Sequence, residues 1–446
     1  MNALSLLWLA ASISGEAALQ HAARLSALGP HPWGSPRVNL AARYVEAQFK
    51  DAGLQDVRLQ PFESHGIQGA NVIGVLRGRG SEFLVVGTHH DTAPEAAGAY
   101  DAGGGVGILI ELARLLANDT QRPRTLVFVS FDGEEAWSTG KTTLAGSRAY
   151  VKALGAERRD LLAALVIEMC GWGGGTPALH ALAYSDPLRK DGSVITPRWL
   201  VEAAARGARE AGAPLVMGDP LIPWLYQPAV RVFRTDLYGD DKAFLQAGLP
   251  AVFVSDSSFT RFYPHYHQPD DTADKLDPLA LERLGRAVSG AVRALETAGR
   301  GDSEPHWFTA FGVTLGATPL LLLAGLCVVP ALRLAFRAGG RARTWRLLHL
   351  LLFGVLVYRH PVPALFTLLL PNLLPLVPRR PWSLFLALLP TLLLLGLGAV
   401  AWQRGFVDGS FLTAWDVSAA AGALGLALLP VGAQAMRPNR RRRTGR

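Results

Sequence analysis

Leu126-Val127-Phe128-Val129-Ser130-Phe131-Asp132-Gly133-Glu134-Glu135-Ala136-Trp137 passes in one step from an apolar run into three acids. A continuous apolar stretch of this length, ended by charge, reads as a strand buried on both faces. Carboxylates leaving such a strand side by side repel one another, and folding alone gives no reason to pair them. A metal does: one carboxylate ligates, and the other accepts a proton from metal-activated water. The bland alternative is a solvated acidic turn.

Similar short apolar runs occur at 71–77, 83–88, 163–169, 229–233 and 250–254, each bounded by turn residues or charges. Between and around them lie segments with apolar residues at helical spacing, at 38–53, 105–118, 144–154, 197–212, 241–247 and 277–298. This alternation predicts an α/β fold with a mixed, mostly parallel central sheet flanked by helices. Ligands in such folds bind beyond the carboxyl ends of the strands, which is where the remaining polar clusters fall.

His89-His90-Asp91 follows the run 83–88. In a His-x-Asp pair the ring can bind a metal while the carboxylate takes its other N–H and fixes the tautomer. Gly98-Ala99-Tyr100-Asp101-Ala102-Gly103-Gly104-Gly105 opens the next helix; Asp101 is the sole acid of that turn and either ligates or caps. Glu168 ends Leu165-Val166-Ile167, where a buried acid needs a partner. Asp240 and Asp241 precede a short helix, and Phe262-Tyr263-Pro264-His265-Tyr266-His267-Gln268-Pro269-Asp270-Asp271 is a loop rich in aromatic rings and imidazoles. Nitrogen and oxygen donors at successive strand ends, without sulfur, fit an open catalytic zinc site.

Several classes drop out. There is no Cys-x-x-Cys; Cys170 and Cys327 stand in unlike surroundings and suggest no disulfide. No Gly-x-Ser-x-Gly elbow and no His-Glu-x-x-His helix occurs. The net charge of +8 averages two unlike parts. Residues 307–446 carry 15 arginines and only Asp408 and Asp416 as acids, whereas the first 306 residues carry 29 basic and 34 acidic side chains. Because the arginines lie between and after apolar spans, nucleic acid is not the expected partner. A lipid bilayer is: 307–332, 382–402 and 416–436 each approach the ~20 residues a bilayer needs. With 345–358 and 362–377 as two short crossings there are about five spans, and the arginine clusters all face the cytoplasm. The domains expected are 1–304 (catalytic), 305–436 (transmembrane) and 437–446 (basic cytoplasmic tail). Residues 3–12 read either as a short secretory apolar region lacking a preceding cation or as a first helix.

As an ordered set, His-x-Asp, Gly-Ala-x-Asp, Glu-Glu and Tyr-His-x-x-x-Asp-Thr resemble the zinc-dependent exopeptidases. That family includes bacterial leucyl aminopeptidases, endoplasmic-reticulum membrane metallopeptidases and, as a divergent branch, glutaminyl cyclases. The similarity runs from Gly29-Pro30-His31-Pro32-Trp33-Gly34-Ser35 to Lys275-Leu276-Asp277. It implies His89, Asp101, Glu135 and His267 as zinc ligands, with Asp101 shared by two ions, Asp91 orienting His89, Glu134 as general base and Tyr266 stabilising the oxyanion. The remaining ligand is usually Asp; here Glu168 in Ile167-Glu168-Met169-Cys170-Gly171 stands there, which bears on the second ion. The implied activity is an aminopeptidase on a peptide or small amide substrate; the arginine placement puts its catalytic domain on the extracytoplasmic side. Phe131 to Ser138 and Leu144-Ala145-Gly146-Ser147-Arg148 also resemble the glutaminyl cyclase version, a one-zinc branch in which Asp240 or Asp241 matches a substrate-site carboxylate. A catalytically silent binding module is the third reading, and oligomeric state is open.

Overall fold

The computed structural model describes residues 13–119, 121–135, 144–183, 194–218, 239–257 and 263–301, then 307–310, 313–316, 318–337 and scattered positions from 340 to 351. The chain divides into one unit comprising Met1–Asp219 and Leu237–Pro305 and a second comprising Pro220–Asp236 and His306–Arg446.

In the first unit Ser14 caps α1 (Gly15–Ser26) by accepting the Ala17 N–H at 3.2 Å. Ser35 caps α2 (Pro36–Asp51) in the same way, with Pro36 in the first turn where no N–H is needed. β1 (Gln55–Ser64) and β2 (Ile67–Leu76) form an antiparallel hairpin through His65 and Gly66. Both turn residues have positive φ, 52° and 78°, as a tight primed turn requires. There follow β3 (Phe83–His89), α3 (Gly104–Ala117), β4 (Thr125–Phe131), α4 (Ala145–Ala153) and β5 (Leu161–Ile167). Then come the short β6 (Ala178–His180), β7 (Leu182–Ala183) and β8 (Val194–Ile195), α5 (Arg198–Glu210), β9 (Val216–Met217), α6 (Asp241–Gln246), β10 (Ala251–Ser255) and α7 (Pro278–Thr297).

Eight strands make one sheet in the order β1-β2-β4-β3-β5-β10-β6-β9. β4, β3, β5 and β10 run parallel, and the registers His89↔Phe131, Gly87↔Val166 and Val254↔Ile167 bring their carboxyl ends to one edge. Every residue of β3, β5 and β10 is buried, which explains their unbroken apolar sequences. Alternate side chains of a strand point to opposite faces. Phe128 accordingly meets Phe49 of α2 edge-on at 6.4 Å, while Phe131 meets Tyr150 of α4 at 5.9 Å and Phe244 of α6 at 6.2 Å. Helices therefore cover both faces, as expected. α5 and α7 cross at Gly207 and Gly290, where a Cβ on either would overlap the other's carbonyl oxygen.

The expected run 229–233 and residues 3–12 lie outside the described residues. In the second unit the expected span 307–332 is corrected. Trp307–Ala310 and Val313–Gly316 pair as an antiparallel hairpin, and a helix begins only at Thr318, ending at Arg337. The aromatic and β-branched residues on either side of Phe311-Gly312 favour strands over helix. Among the described residues no helix is long and apolar enough to cross a membrane. The spans expected at 362–377, 382–402 and 416–436, most of 345–358 and the tail 437–446 lie outside them.

Candidate metal centre

The acids of the opening stretch separate at once. Asp132 turns back to the sheet: its Oδ2 accepts the Ala70 N–H at 3.0 Å, and its own N–H is held at 3.1 Å by Asn71, whose amide also donates to the Gly146 carbonyl at 2.9 Å. That clamp fixes where the chain leaves β4. Glu134 and Glu135 then point away with their backbone N–H groups on Asp91, to Oδ1 and Oδ2 at 3.1 Å each. Asp91 was expected to orient His89. The ring Nδ1 sits 3.0 Å from the Asp91 carbonyl, to which it donates, and 3.5 Å from Oδ1 of the same residue. One aspartate therefore sets both the imidazole and the Glu134-Glu135 pair. The second task depends on backbone donors 43 and 44 residues away, so spacing in the sequence does not reveal it.

With Nδ1 occupied, His89 turns Nε2 to Asp101 Oδ1 at 3.4 Å. Asp101 lies in a π-type turn, Ala99–Gly103, with a cis peptide to Ala102, immediately before α3. Its other oxygen, Oδ2, faces His267 Nε2 at 3.2 Å, and His267 Nε2 also lies 3.0 Å from Glu135 Oε1. One donor atom each from Asp101, Glu135 and His267 fall within 4.8 Å of one another. Among the described residues no second group of this kind occurs. Asp101 thus shows one oxygen to each imidazole, the disposition of a carboxylate shared between two positions. His267 holds a left-handed φ of 58°, a conformation costly for histidine unless its surroundings impose it.

The electrostatics ask for a cation. Burial, followed by the charge of Glu168, pushes the Glu134 carboxyl well above the usual carboxylate range. Burial also raises Glu135, partly offset by His267, and raises Glu168 well above the usual range. Burial opposes charge on Asp101 too, but hydrogen bonds from His267 and His89 outweigh it and hold that carboxyl low. Despite burial, the Glu135 charge and bonds to Asp101 and Glu135 push His267 up to about 10. His89 is likewise raised well above its ordinary value against burial, chiefly by its bonds to Asp101 and Asp91. A divalent ion among these oxygens would take over the role of the imidazole protons and return both rings to the neutral, ligating form. The donor set of imidazole and carboxylate fits zinc. His90, by contrast, bonds Ser130 Oγ at 3.0 Å, and burial lowers it to about 3.

Glu168 follows β5 directly and is buried, but it stands outside the three-donor group. Its Oε1 accepts the Asp240 N–H at 3.1 Å, and a Cβ on Gly239 would overlap its carboxylate. The extra methylene relative to aspartate therefore occupies room that glycine leaves. Gly239→Ala is expected to displace this terminal carboxylate with little change in melting temperature, and to cut kcat/KM by roughly 10²-fold, the scale of a 1 Å misplacement. Adding Glu168→Asp should restore most of it, as steady-state kinetics on the single and double variants would read. Asp240 is fully buried, and burial raises it to about 7. Asp241 accepts the Gly239 N–H at 3.1 Å at the start of α6. The Tyr266 ring stacks on His267 at 3.7 Å. Burial, then the Asp101 and Glu135 charges, raise its phenol well above normal, so it stays a neutral donor.

A leucine aminopeptidase 1 of Fusarium vanettenii is 27% identical over 263 residues, covering 56% of this chain and 61% of that protein. The chain thus spans about three-fifths of the length of the curated relatives it matches first. In fold it is similar to BSAP, a zinc aminopeptidase from Bacillus subtilis, with a TM-score of 0.51 at 15% identity over 65% of this chain and 98% of that one. A glutaminyl cyclase of Fimbriiglobus ruber gives 0.50 at 22% identity over 63% of this chain and 95% of that one. The model of peptidase family M28 matches residues 71–292, from β2 through most of α7 and including every donor named above, and over that segment the chain belongs to this family.

Proposed function

We propose that the chain is a zinc-dependent aminopeptidase that hydrolyses the first peptide bond of a substrate with a free N-terminus. The observation that carries this reading is the convergence of Asp101, Glu135 and His267 donors within 4.8 Å, beside the buried Glu134. When bound, zinc supplies Lewis acidity that polarises the scissile carbonyl and acidifies water. Glu134, a carboxylate made more basic by burial, accepts the proton of the attacking water and passes it to the leaving amine. The Tyr266 phenol donates a hydrogen bond to the oxygen that gains charge at the scissile carbon. The buried Glu168 and Asp240 carboxyls are the groups assigned to the substrate's α-ammonium, whose charge would favour their ionised forms. Asp91 holds base and ligand in register through their backbone N–H groups.

A second reading has its own support. Three donors make a complete site for one ion, and Glu168 is engaged with the Asp240 backbone; both suit a one-zinc glutaminyl cyclase, in which Glu134 shuttles a proton within the substrate. One experiment separates the two. Zinc-loaded full-length protein is incubated with Leu- and Gln-initiated peptides under mass-spectrometric readout. Release of free leucine, abolished by a chelator and restored by zinc, is expected. Pyroglutamate formation without release of amino acid overturns the aminopeptidase reading. Attachment to a membrane, with the catalytic domain extracytoplasmic, rests only on the arginine-rich, apolar composition of 307–446. Recovery of the protein in alkali-washed membranes tests it.

A further inference from the structure

Asp271 is the acid of the Tyr-His-x-x-x-Asp-Thr segment and has no part in the reaction described above. It is completely buried. Its Oδ1 accepts the Tyr100 N–H at 2.9 Å and the Tyr263 hydroxyl at 3.4 Å, while Oδ2 accepts the Asp101 N–H at 3.3 Å. Its backbone carbonyl accepts the Ala99 N–H at 3.3 Å, so one residue receives three consecutive N–H groups of the turn that carries Asp101. Its own N–H donates to the Gln268 carbonyl at 3.0 Å, inside the loop that carries His267. The Tyr263 ring, stacked on Tyr100 at 4.1 Å, closes the same contact from the side.

Both carboxylate oxygens are already engaged by donors, and Asp271 does not belong to the three-donor group. Its place is between two of that group's members. Asp101 and His267 lie far apart in sequence, on a turn after β3 and a loop after β10, and no strand pairing joins those two segments. A metal centre tolerates only about 0.5 Å of error in its ligands, so something must fix one segment against the other.

We propose that Asp271 is a positioning residue of the centre: it sets the turn bearing Asp101 against the loop bearing His267, and so fixes the spacing of two metal donors. The proposal rests on Asp101 and His267 being donors. Asp271→Asn keeps the size of the side chain but leaves one oxygen for two backbone N–H groups. The amide brings a donor where an acceptor is needed.

The test uses the full chain, stripped of metal by a chelator and titrated with zinc, with cobalt(II) absorption as a second readout. Asp271→Asn is expected to bind zinc about 10–100-fold more weakly, the usual cost of losing an outer partner of a metal ligand, and to shift the cobalt bands. A purely structural role would lower the melting temperature of the metal-free protein and leave the affinity of the folded fraction unchanged. Tyr263→Phe guards against a variant that does not fold: it removes one hydroxyl, keeps the ring stack, and is expected to weaken zinc about threefold. The inference is overturned if folded Asp271→Asn matches the wild type in zinc affinity and cobalt spectrum, or if, with Asp271→Asn unfolded, Tyr263→Phe binds as the wild type does. Zinc binding by the wild type without release of amino acid would defeat the aminopeptidase reading alone and leave this one standing.

Discussion

Glu134→Gln lowers kcat by about 10²–10⁴-fold, the range a positioned general base supplies, while zinc content and KM stay close to wild type. The amide is nearly isosteric, and the backbone N–H of residue 134 keeps its bond to Asp91. Glu134 is not among the three donors that converge, so metal should remain. What disappears is the carboxylate's basicity, since the amide oxygen that replaces it does not take up the proton. A loss confined to kcat marks an interaction made only in the transition state. A Glu134→Gln protein with full zinc and an undiminished rate would remove the base from this account altogether.

Asp101→Asn has the opposite signature. Asp101 is the residue to which both imidazoles turn, His89 at 3.4 Å and His267 at 3.2 Å. An amide offers one oxygen where the carboxylate offers two, and it carries no charge. Zinc affinity is expected to fall by more than about 100-fold, beyond the cost of losing an outer partner, with activity falling in step. Excess zinc should not restore the wild-type rate. Metal analysis after gel filtration, beside activity at saturating zinc, checks both halves. Retention of one or more zinc ions per chain would show that the other donors suffice, and the central role given to Asp101 would be lost.

The parallel core was legible because burial on both faces leaves unbroken apolar runs. The expected runs at 83–88, 125–131, 163–169 and 250–254 correspond to β3, β4, β5 and β10 within two residues at each end. β1 escaped for the converse reason. Gln55–Ser64 is an edge strand whose residues are exposed or only partly buried, and Pro61 interrupts its sequence. The signal that could have found it is the two-residue His65-Gly66 link to the apolar β2. The short β6 and β9 carry too few residues for any period to show.

At the site, the identity of the donors was readable because histidines and acids at strand ends are conspicuous. Their mutual support was not. Asp91, Asn71 and Asp271 act largely on backbone N–H and carbonyl groups of distant segments, and backbone groups leave no mark in a sequence. Asp132 looked like a third member of the acidic set; only the structure shows it turned to Ala70. Gly239 gave no hint of its relation to Glu168.

Because the donors hang from the ends of separate parallel strands, no fragment of the chain that stops short of His267 can assemble the three-donor group. A polypeptide emerging from the ribosome holds His89, Asp101 and Glu135 long before His267 exists. The full donor set is therefore complete only once the segment after β10 has been made. A chain that stalls short of β10 lacks the full donor set.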